Sequence, residues 1–294
     1  MNQRNRKQTA KIPLYTRRTV SEVVNTTFDF VKENWRPWLR LSVYVMLPIS
    51  IVQGMGLNSI FAALFNDTDF PVMAVVIAGV FTLIGAAACS ALQIALLKWY
   101  DTHDDRLERA SLTSMRPMLL SYFLKCLPIW LLIALVSLPG TAVSLAVSLL
   151  LPVAVLLFLA AMLPVWLTAP VYLLEGCSFW VAVKRAFVLG YSRWLKLVGV
   201  GFCMALAAMI MQNLTTIPWS VLLVSVQTLG DQSSAYEWKV FSELMFYVFT
   251  ILQCMVAYLG MSFFVLAMSF YYANVATDVD QVNIESEIEN FENL

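Results

Sequence analysis

Long apolar stretches fill most of this chain, and short polar segments separate them. A transmembrane helix needs about 20 mostly apolar residues to cross about 30 Å of hydrocarbon. Six stretches meet this requirement, at residues 38–64, 71–97, 119–138, 141–167, 194–214 and 240–272. The pattern therefore predicts an all-α, polytopic integral membrane protein with about six transmembrane helices.

Two features of this pattern concern how the helices are joined. Only Pro139 and Gly140 separate the third and fourth stretches, which predicts a tight turn between two helices. The apolar segment 217–226 is too short to cross the membrane. It is either an extension of the fifth helix or an external segment at the membrane interface, and Pro218 predicts a bend there.

A separate amphipathic helix is predicted at residues 19–35, ahead of the first transmembrane helix. Thr19 and Glu22 have the spacing of a capping box, in which each side chain satisfies a backbone donor at the start of a helix. The apolar face of this helix contains Val20, Val23, Val24, Phe28, Val31 and Trp35. Such a helix lies in the membrane interface, or alternatively packs against the protein's own cytoplasmic loops.

Short sequence patterns recur at the start of three predicted spans. Segment 36–39 is echoed by 116–119, and segment 38–41 is echoed by 194–197 at an offset of 156 residues. One interpretation is three copies of a unit, each a cytoplasmic surface helix followed by a transmembrane hairpin. The alternative is that Trp, Arg and Leu suit any helix that enters the membrane from the cytoplasm.

Composition supports the membrane assignment. Hydrophobic residues make up 60% of the 294 residues and charged residues only 13%, with a mean hydropathy of +0.73. A soluble domain has about 45–50% apolar and about 25% charged residues. The first apolar stretch begins only near residue 38 and lacks a cleavage site of small residues, so we expect it to remain as an anchor.

The distribution of basic residues predicts the orientation. All 19 Lys and Arg residues except Lys239 lie before or at the start of the first span, around the second-to-third connection, or around the fourth-to-fifth connection. Since Lys and Arg favour the cytoplasmic side, both termini are predicted to be cytoplasmic. The chain then divides into a basic tail (1–18), a six-helix membrane domain (19–274) and an acidic tail (275–294).

Few residues suggest catalysis or metal binding. The five cysteines include no C-x-x-C pair, and no metalloprotease, P-loop or nucleophile-elbow motif is present. His103 lies beside three aspartates but has no second His or Cys nearby in the sequence. We therefore predict no catalytic residue, metal, cofactor, disulfide or nucleic-acid partner.

The spans contain glutamines but almost no ionisable residues in their central parts. Because charged groups inside a membrane usually mark ion pathways, this pattern argues against ion-coupled pumping. The glutamines are Gln53, Gln93, Gln212 and Gln253. They are predicted to form hydrogen bonds between helices; alternatively, they line the polar pathway of a transporter.

The cytoplasmic ends of the first and fifth spans carry aromatic and basic residues in close succession. Basic residues next to a membrane attract anionic lipid, and tryptophan settles at the headgroup level. We therefore predict an interface for lipid headgroups formed by Arg36, Trp38, Arg40, Lys184, Arg185, Arg193, Trp194 and Lys196. The alternative is that these charges only set the orientation during insertion.

One segment carries a family resemblance. Glu175 follows the fourth span, a basic amphipathic helix comes next, and Trp194-Leu195 begins the fifth span. This order resembles that of YciC-like bacterial six-helix membrane proteins, which are related to the membrane domain of some glycerophosphodiester phosphodiesterases. The resemblance implies a bacterial inner membrane. It transfers no catalytic residue, because only a short acidic tail follows residue 272 and a stand-alone membrane domain is implied.

Together these features predict a non-enzymatic membrane protein that acts as a scaffold or accessory component. Its cytoplasmic face is expected to bind anionic lipid and a partner, either another membrane protein or a second copy of the chain. The alternative is a transporter or channel for a small neutral or lipid-like molecule. A lipid-modifying enzyme is the third interpretation, and the sequence shows no convergent carboxylates for such chemistry.

Overall fold

The computed structural model describes residues 11–65, 69, 71–146, 164–230 and 236–292, and this part of the chain is all-α. Its helices are α1 (Val20–Glu33), α2 (Trp35–Phe65), α3 (Val72–Thr102), α4 (Leu112–Ala146), α5 (Thr168–Glu175), α6 (Phe179–Ser192), α7 (Trp194–Gly230) and α8 (Tyr236–Glu292). The short helices α1 and α6 directly precede the long helices α2 and α7.

Five helices in the described part are long and apolar enough to cross a membrane, namely α2, α3, α4, α7 and α8. The prediction of a multi-pass α-helical membrane protein is therefore confirmed. These helices correspond to the first, second, third, fifth and sixth predicted spans. Most of the fourth predicted span (141–167) lies outside the described residues.

The predicted turn at Pro139 and Gly140 is wrong, because α4 continues through both residues to Ala146. A proline inside a helix removes one backbone donor, and transmembrane helices tolerate proline and glycine where their surroundings satisfy the freed groups. The segment 217–226 is a helical extension, as one of the two interpretations predicted. Helix α7 continues through Pro218 to Gly230.

Helices α3 and α8 pack closely at the centre of the bundle. They are in close contact at Gly85, where the missing side chain leaves room for the ring of Tyr258. A Cβ atom at Gly85 would lie 2.1 Å from the Tyr258 hydroxyl oxygen and 2.3 Å from Cζ. The same hydroxyl donates a hydrogen bond to Gln53 Oε1 at 2.6 Å, so Tyr258 also links α8 to α2.

The capping box at the start of α1 is confirmed. Thr19 N–H donates to Glu22 Oε2 at 2.7 Å, and Glu22 N–H donates to Thr19 Oγ1 at 3.3 Å. The buried residues of the helix are Val23, Thr27, Phe30 and Val31. The helix packs against α7 and α8, and its Glu33 pairs with Arg106 in the turns between α3 and α4, so it contacts both the transmembrane helices and a loop of the protein itself. Phe28 and Trp35, predicted for the apolar face, are exposed.

Helices α1 and α6 have the same length and the same position relative to the next helix. Each contains 14 residues, follows a Thr or Ser N-cap, and is separated by one residue from a long helix that begins with tryptophan. The two units are displaced by 159 residues, so the predicted offset of 156 is wrong. Three residues are close to one helical turn, which explains why apolar positions also match at the wrong offset.

The segment ahead of α4 differs from both of these units. Residues 103–111 form turns that place Leu107 and Ala110 in buried positions, and they do not form a surface helix. Within the described residues, a short helix followed by a transmembrane helix is therefore found at α1–α2 and at α6–α7. The middle copy of the predicted three-fold repeat lacks its surface helix.

Candidate functional site

The N-terminal segment 11–18 lies across one end of the helix bundle. Asn274 of α8 holds this segment by two hydrogen bonds to the backbone of Arg18. Asn274 Oδ1 accepts from Arg18 N–H, and Asn274 Nδ2 donates to Arg18 O, both at 2.8 Å. Farther along the segment, Ile12 N–H donates to the Tyr100 hydroxyl of α3 at 3.1 Å. The segment therefore connects the end of α3 to α8.

Asp278 of α8 forms ion pairs with two arginines from different parts of the chain. Its carboxylate lies 2.7 Å from Arg17 Nε and 3.2 Å from Arg193 Nη2. The Tyr271 hydroxyl donates to the carbonyl oxygen of Arg193 at 3.0 Å. The junction between α6 and α7 is therefore held at the same end of the bundle as the N-terminal segment.

A further ion pair connects α5 to α6. Glu175 Oε1 accepts from Arg185 Nε at 2.5 Å and from the Tyr272 hydroxyl at 2.7 Å. Arg185 and Arg193, both predicted for the lipid interface, thus have carboxylate partners within the protein. The partner carboxylates offset the positive charge of these two arginines.

The other four basic residues of the predicted interface have no carboxylate partner in the described part of the chain. Arg36, Arg40 and Lys184 are exposed, and Lys196 is partly exposed. Arg36 lies over the ring of Trp35, with its guanidinium carbon 5.4 Å from the ring centroid. These four cations are available to a lipid phosphate without the loss of an ion pair.

The two predicted tryptophans lie in different environments. Trp194 is 52% exposed, as an interface residue requires, whereas Trp38 is only 5% exposed. The Trp38 indole N–H donates to Gln93 Oε1 at 2.8 Å inside the bundle, so Trp38 is a core residue and its assignment to the interface is wrong. In the register of the two units, Trp35 is the equivalent of Trp194, and it is 53% exposed.

The four glutamines of the predicted polar pathway form hydrogen bonds that join helices. Gln93 of α3 accepts from Trp38 of α2 and donates to Ser262 of α8 at 3.0 Å. Gln53 connects α2 to α3 and α8, while Gln212 and Gln253 connect α7 to α8. Of the two interpretations of the glutamines, this geometry favours hydrogen bonding between helices.

A small cleft of about 10 Å³ lies between α3, α4, α8 and the start of α5 with the residues that precede it. Ser90, Trp130 and Trp166 are among its lining residues, and the Trp130 indole N–H donates to Ser90 Oγ at 3.1 Å. This volume holds about one water molecule, and none of the four glutamines lines it. The cleft therefore gives the glutamines no connection to a space that could hold cargo.

All five cysteines are free. Cys89, Cys126 and Cys254 are buried, and Cys203 is exposed on α7 within a candidate span. Cys177 lies between α5 and α6, outside the spans, and is partly exposed. Its partial burial and the neighbouring Glu175 carboxylate raise the pKa of the Cys177 thiol. Cys177 is therefore a native thiol that can report on the side of the membrane at which α5 ends.

The described residues contain no group of three His, Cys, Asp or Glu side chains placed to hold a metal ion. His103 stacks on the ring of Trp99 with the centroids 4.0 Å apart, and its Nδ1 lies 2.9 Å from Thr102 Oγ1. These contacts hold the imidazole against the end of α3.

Comparison with protein families, curated proteins and solved structures yields no match. The resemblance to YciC-like membrane proteins therefore stays a prediction. The bundle combines a hydrogen-bonded core with one end rich in basic residues.

Proposed function

We propose that this chain is a non-enzymatic membrane scaffold or accessory component. The observation that supports this best is the core, in which the glutamines of the spans form hydrogen bonds to neighbouring helices. Such bonds stabilise one arrangement of helices, as a scaffold requires. A transporter for neutral or lipid-like cargo, the alternative, would have to exchange these bonds for contacts with its cargo.

We further propose six transmembrane helices in a bacterial inner membrane, with both termini cytoplasmic. Arg106, ahead of α4, pairs with Glu33 beside Tyr100, and Glu175, at the end of α5, bonds to Tyr272. Both positions lie at the basic end of the bundle, which favours an even number of membrane crossings between them. The basic residues at this end favour the cytoplasm.

Cys177 provides a test of this orientation. We expect a membrane-impermeant maleimide to label the protein in inverted membrane vesicles but not in intact spheroplasts, with Cys177→Ser as the control. Because the pKa of the Cys177 thiol is raised, less of it is ionised at neutral pH, and labelling should accelerate as the pH rises. Labelling of Cys177 in spheroplasts would reverse the proposed orientation.

We also propose that the basic end binds anionic lipid through Arg36, Arg40, Lys184 and Lys196. Each basic residue near an anionic membrane surface contributes about 1 kcal/mol of attraction, which salt screens. The exposed Trp194 lies two residues before Lys196 in the sequence and supports an interface at this position.

The double substitution Lys184→Gln with Lys196→Gln is expected to reduce the anionic lipid that co-purifies with the protein. The matched control, Arg185→Gln with Arg193→Gln, removes the same charge from residues that already have carboxylate partners. We expect the control to keep its lipid but to unfold at a lower temperature, because it leaves two carboxylates without these partners. Lipid mass spectrometry and thermal unfolding after gentle purification measure both effects.

Two other outcomes would contradict this assignment. Loss of lipid in the arginine variant alone would place lipid binding at the ion-paired residues. Equal lipid content in both variants and the native protein would mean that the basic residues serve only to orient the chain during insertion.

A further inference from the structure

The inward faces of α1 and α6 follow one pattern. At the offset of 159 residues, the buried positions Val23, Thr27, Phe30 and Val31 of α1 coincide with the buried positions Ala182, Ala186, Leu189 and Gly190 of α6. The N-caps Thr19 and Ser178 coincide as well. Packing against the bundle therefore places the same constraint on both helices.

The outward faces of the two helices are different. On α1 five of the six exposed positions are polar, namely Ser21, Glu22, Asn25, Asp29 and Lys32. The sixth, Phe28, is 41% exposed and lies against Phe263 of α8, with the ring centroids 5.4 Å apart. The equivalent exposed positions on α6 are Trp180, Val181, Lys184, Val188 and Tyr191. The outer face of α6 is therefore aromatic and aliphatic, with Lys184 as its charged residue.

Exposure of the apolar outer face of α6 to water is energetically unfavourable. Trp180 is 68% exposed and Val188 is 65% exposed, and full burial of a large apolar side chain is favourable by about 1.5–3 kcal/mol. Packing against the bundle does not require this face to be apolar, because α1 packs in the same pattern with an outer face that is polar at five of its six exposed positions. An apolar environment outside the bundle explains the difference.

The surroundings of α6 indicate that this environment is a membrane. Arg193 alone separates α6 from α7, which is a candidate span. The exposed residues Trp194, Leu195 and Phe202 continue an apolar surface along α7. An aromatic and aliphatic face that also carries a lysine suits the boundary between lipid headgroups and acyl chains.

We propose that α6 lies in the headgroup region of an anionic membrane with its outer face in the acyl boundary, while the outer face of α1 faces water. Lys184 then reaches the lipid phosphates from α6 itself. Interface insertion is one of the two sequence interpretations of α1, and the mostly polar outer face of α1 assigns that role to α6 instead. The inference rests on the proposed lipid-binding function and names the helix that enters the membrane.

The matched positions Asp29 and Val188 provide the test. Asp29→Cys or Val188→Cys is introduced into the full chain together with Cys177→Ser and Cys203→Ser, because the other three thiols are buried. A nitroxide is attached, and the protein is reconstituted in vesicles of phosphatidylethanolamine and phosphatidylglycerol. Electron paramagnetic resonance then measures collisions of the nitroxide with oxygen, which concentrates in the bilayer, and with a water-soluble nickel chelate.

We expect the ratio of oxygen to nickel collisions to be several-fold higher at position 188 than at position 29. Equal, low ratios at both positions would show that α6 faces water and would overturn the inference. A nitroxide at position 188 that neither reagent reaches would mean that protein covers this face, which overturns the inference in favour of a protein partner or a second copy. If either variant fails to fold, the aligned pair Glu22→Cys and Val181→Cys repeats the comparison.

This experiment and the lipid measurement fail independently. If position 188 lies in the membrane while the Lys184→Gln, Lys196→Gln protein keeps its anionic lipid, α6 enters the membrane and the proposed lipid binding is wrong. If position 188 faces water while that variant loses lipid, the proposed lipid binding holds and the inference about α6 is wrong.

Discussion

Replacing Gly85 by alanine is expected to lower the unfolding temperature strongly, because the new Cβ atom would lie 2.1 Å from the Tyr258 hydroxyl oxygen. Tyr258 then has to move, which breaks its hydrogen bond to Gln53. Overpacking of this kind costs about 1–3 kcal/mol, and the lost hydrogen bond costs about 1 kcal/mol more. A thiol-reactive dye that reaches the buried Cys126 and Cys254 only on unfolding measures the change.

Gly79 on the same helix provides the matched control. Nothing outside its own helix turn lies within 4 Å of a Cβ atom at Gly79, so Gly79→Ala gains about 0.5–1 kcal/mol of helix propensity without a clash. In a Tyr258→Ala protein, Gly85→Ala should cause little further loss, because the clashing ring is absent. If the single variant Gly85→Ala unfolded at the same temperature as the native protein, this result would contradict the close packing of α3 on α8.

Replacing Asn274 by alanine is expected to release the N-terminal segment from the bundle. The change removes two hydrogen bonds of 2.8 Å to the backbone of Arg18. Partly buried backbone groups left without partners cost about 1–3 kcal/mol, and since 1.4 kcal/mol is a factor of ten, local opening becomes roughly tenfold more populated or more. The rate of trypsin cleavage after Arg17 or Arg18 should increase in proportion to the population of this opened state.

Asn213→Ala is the control for this change, because the Asn213 side chain donates to Met209 O within its own helix. Its cleavage rate should stay close to that of the native protein. The unfolding temperature of Asn274→Ala should fall less than that of Gly85→Ala, since the ion pairs of Asp278 remain. Cleavage of Asn274→Ala at the native rate would mean that other contacts suffice to hold the segment.

The candidate site could be predicted from the sequence only in part. Basic residues and tryptophans near the ends of spans are visible in the sequence, and Arg36, Lys184 and Trp194 are exposed as expected. The pairing of Arg193 with Asp278 depends on where α6 and α8 end in space, which no local pattern records. The burial of Trp38 likewise depends on Gln93 of a different helix.

The sequence by itself determined the class of protein and the position of most helices. A membrane span is a run of about 20 apolar residues, and this property belongs to the segment alone. The five candidate spans therefore lie where the hydropathy pattern predicts them. The capping box of α1 was equally predictable, because Thr19 and Glu22 bond to each other within one helical turn.

Only the tertiary structure decided which face of each helix is buried and which segments pair. Lipid and protein interior favour the same apolar residues, so periodicity cannot separate a core-facing side chain from a lipid-facing one. That choice depends on shape and on hydrogen bonds between helices, as in the contact of Gly85 with Tyr258. For the same reason α1 and α6 have one inward pattern and two different outer faces, and only their packing revealed the register of 159 residues.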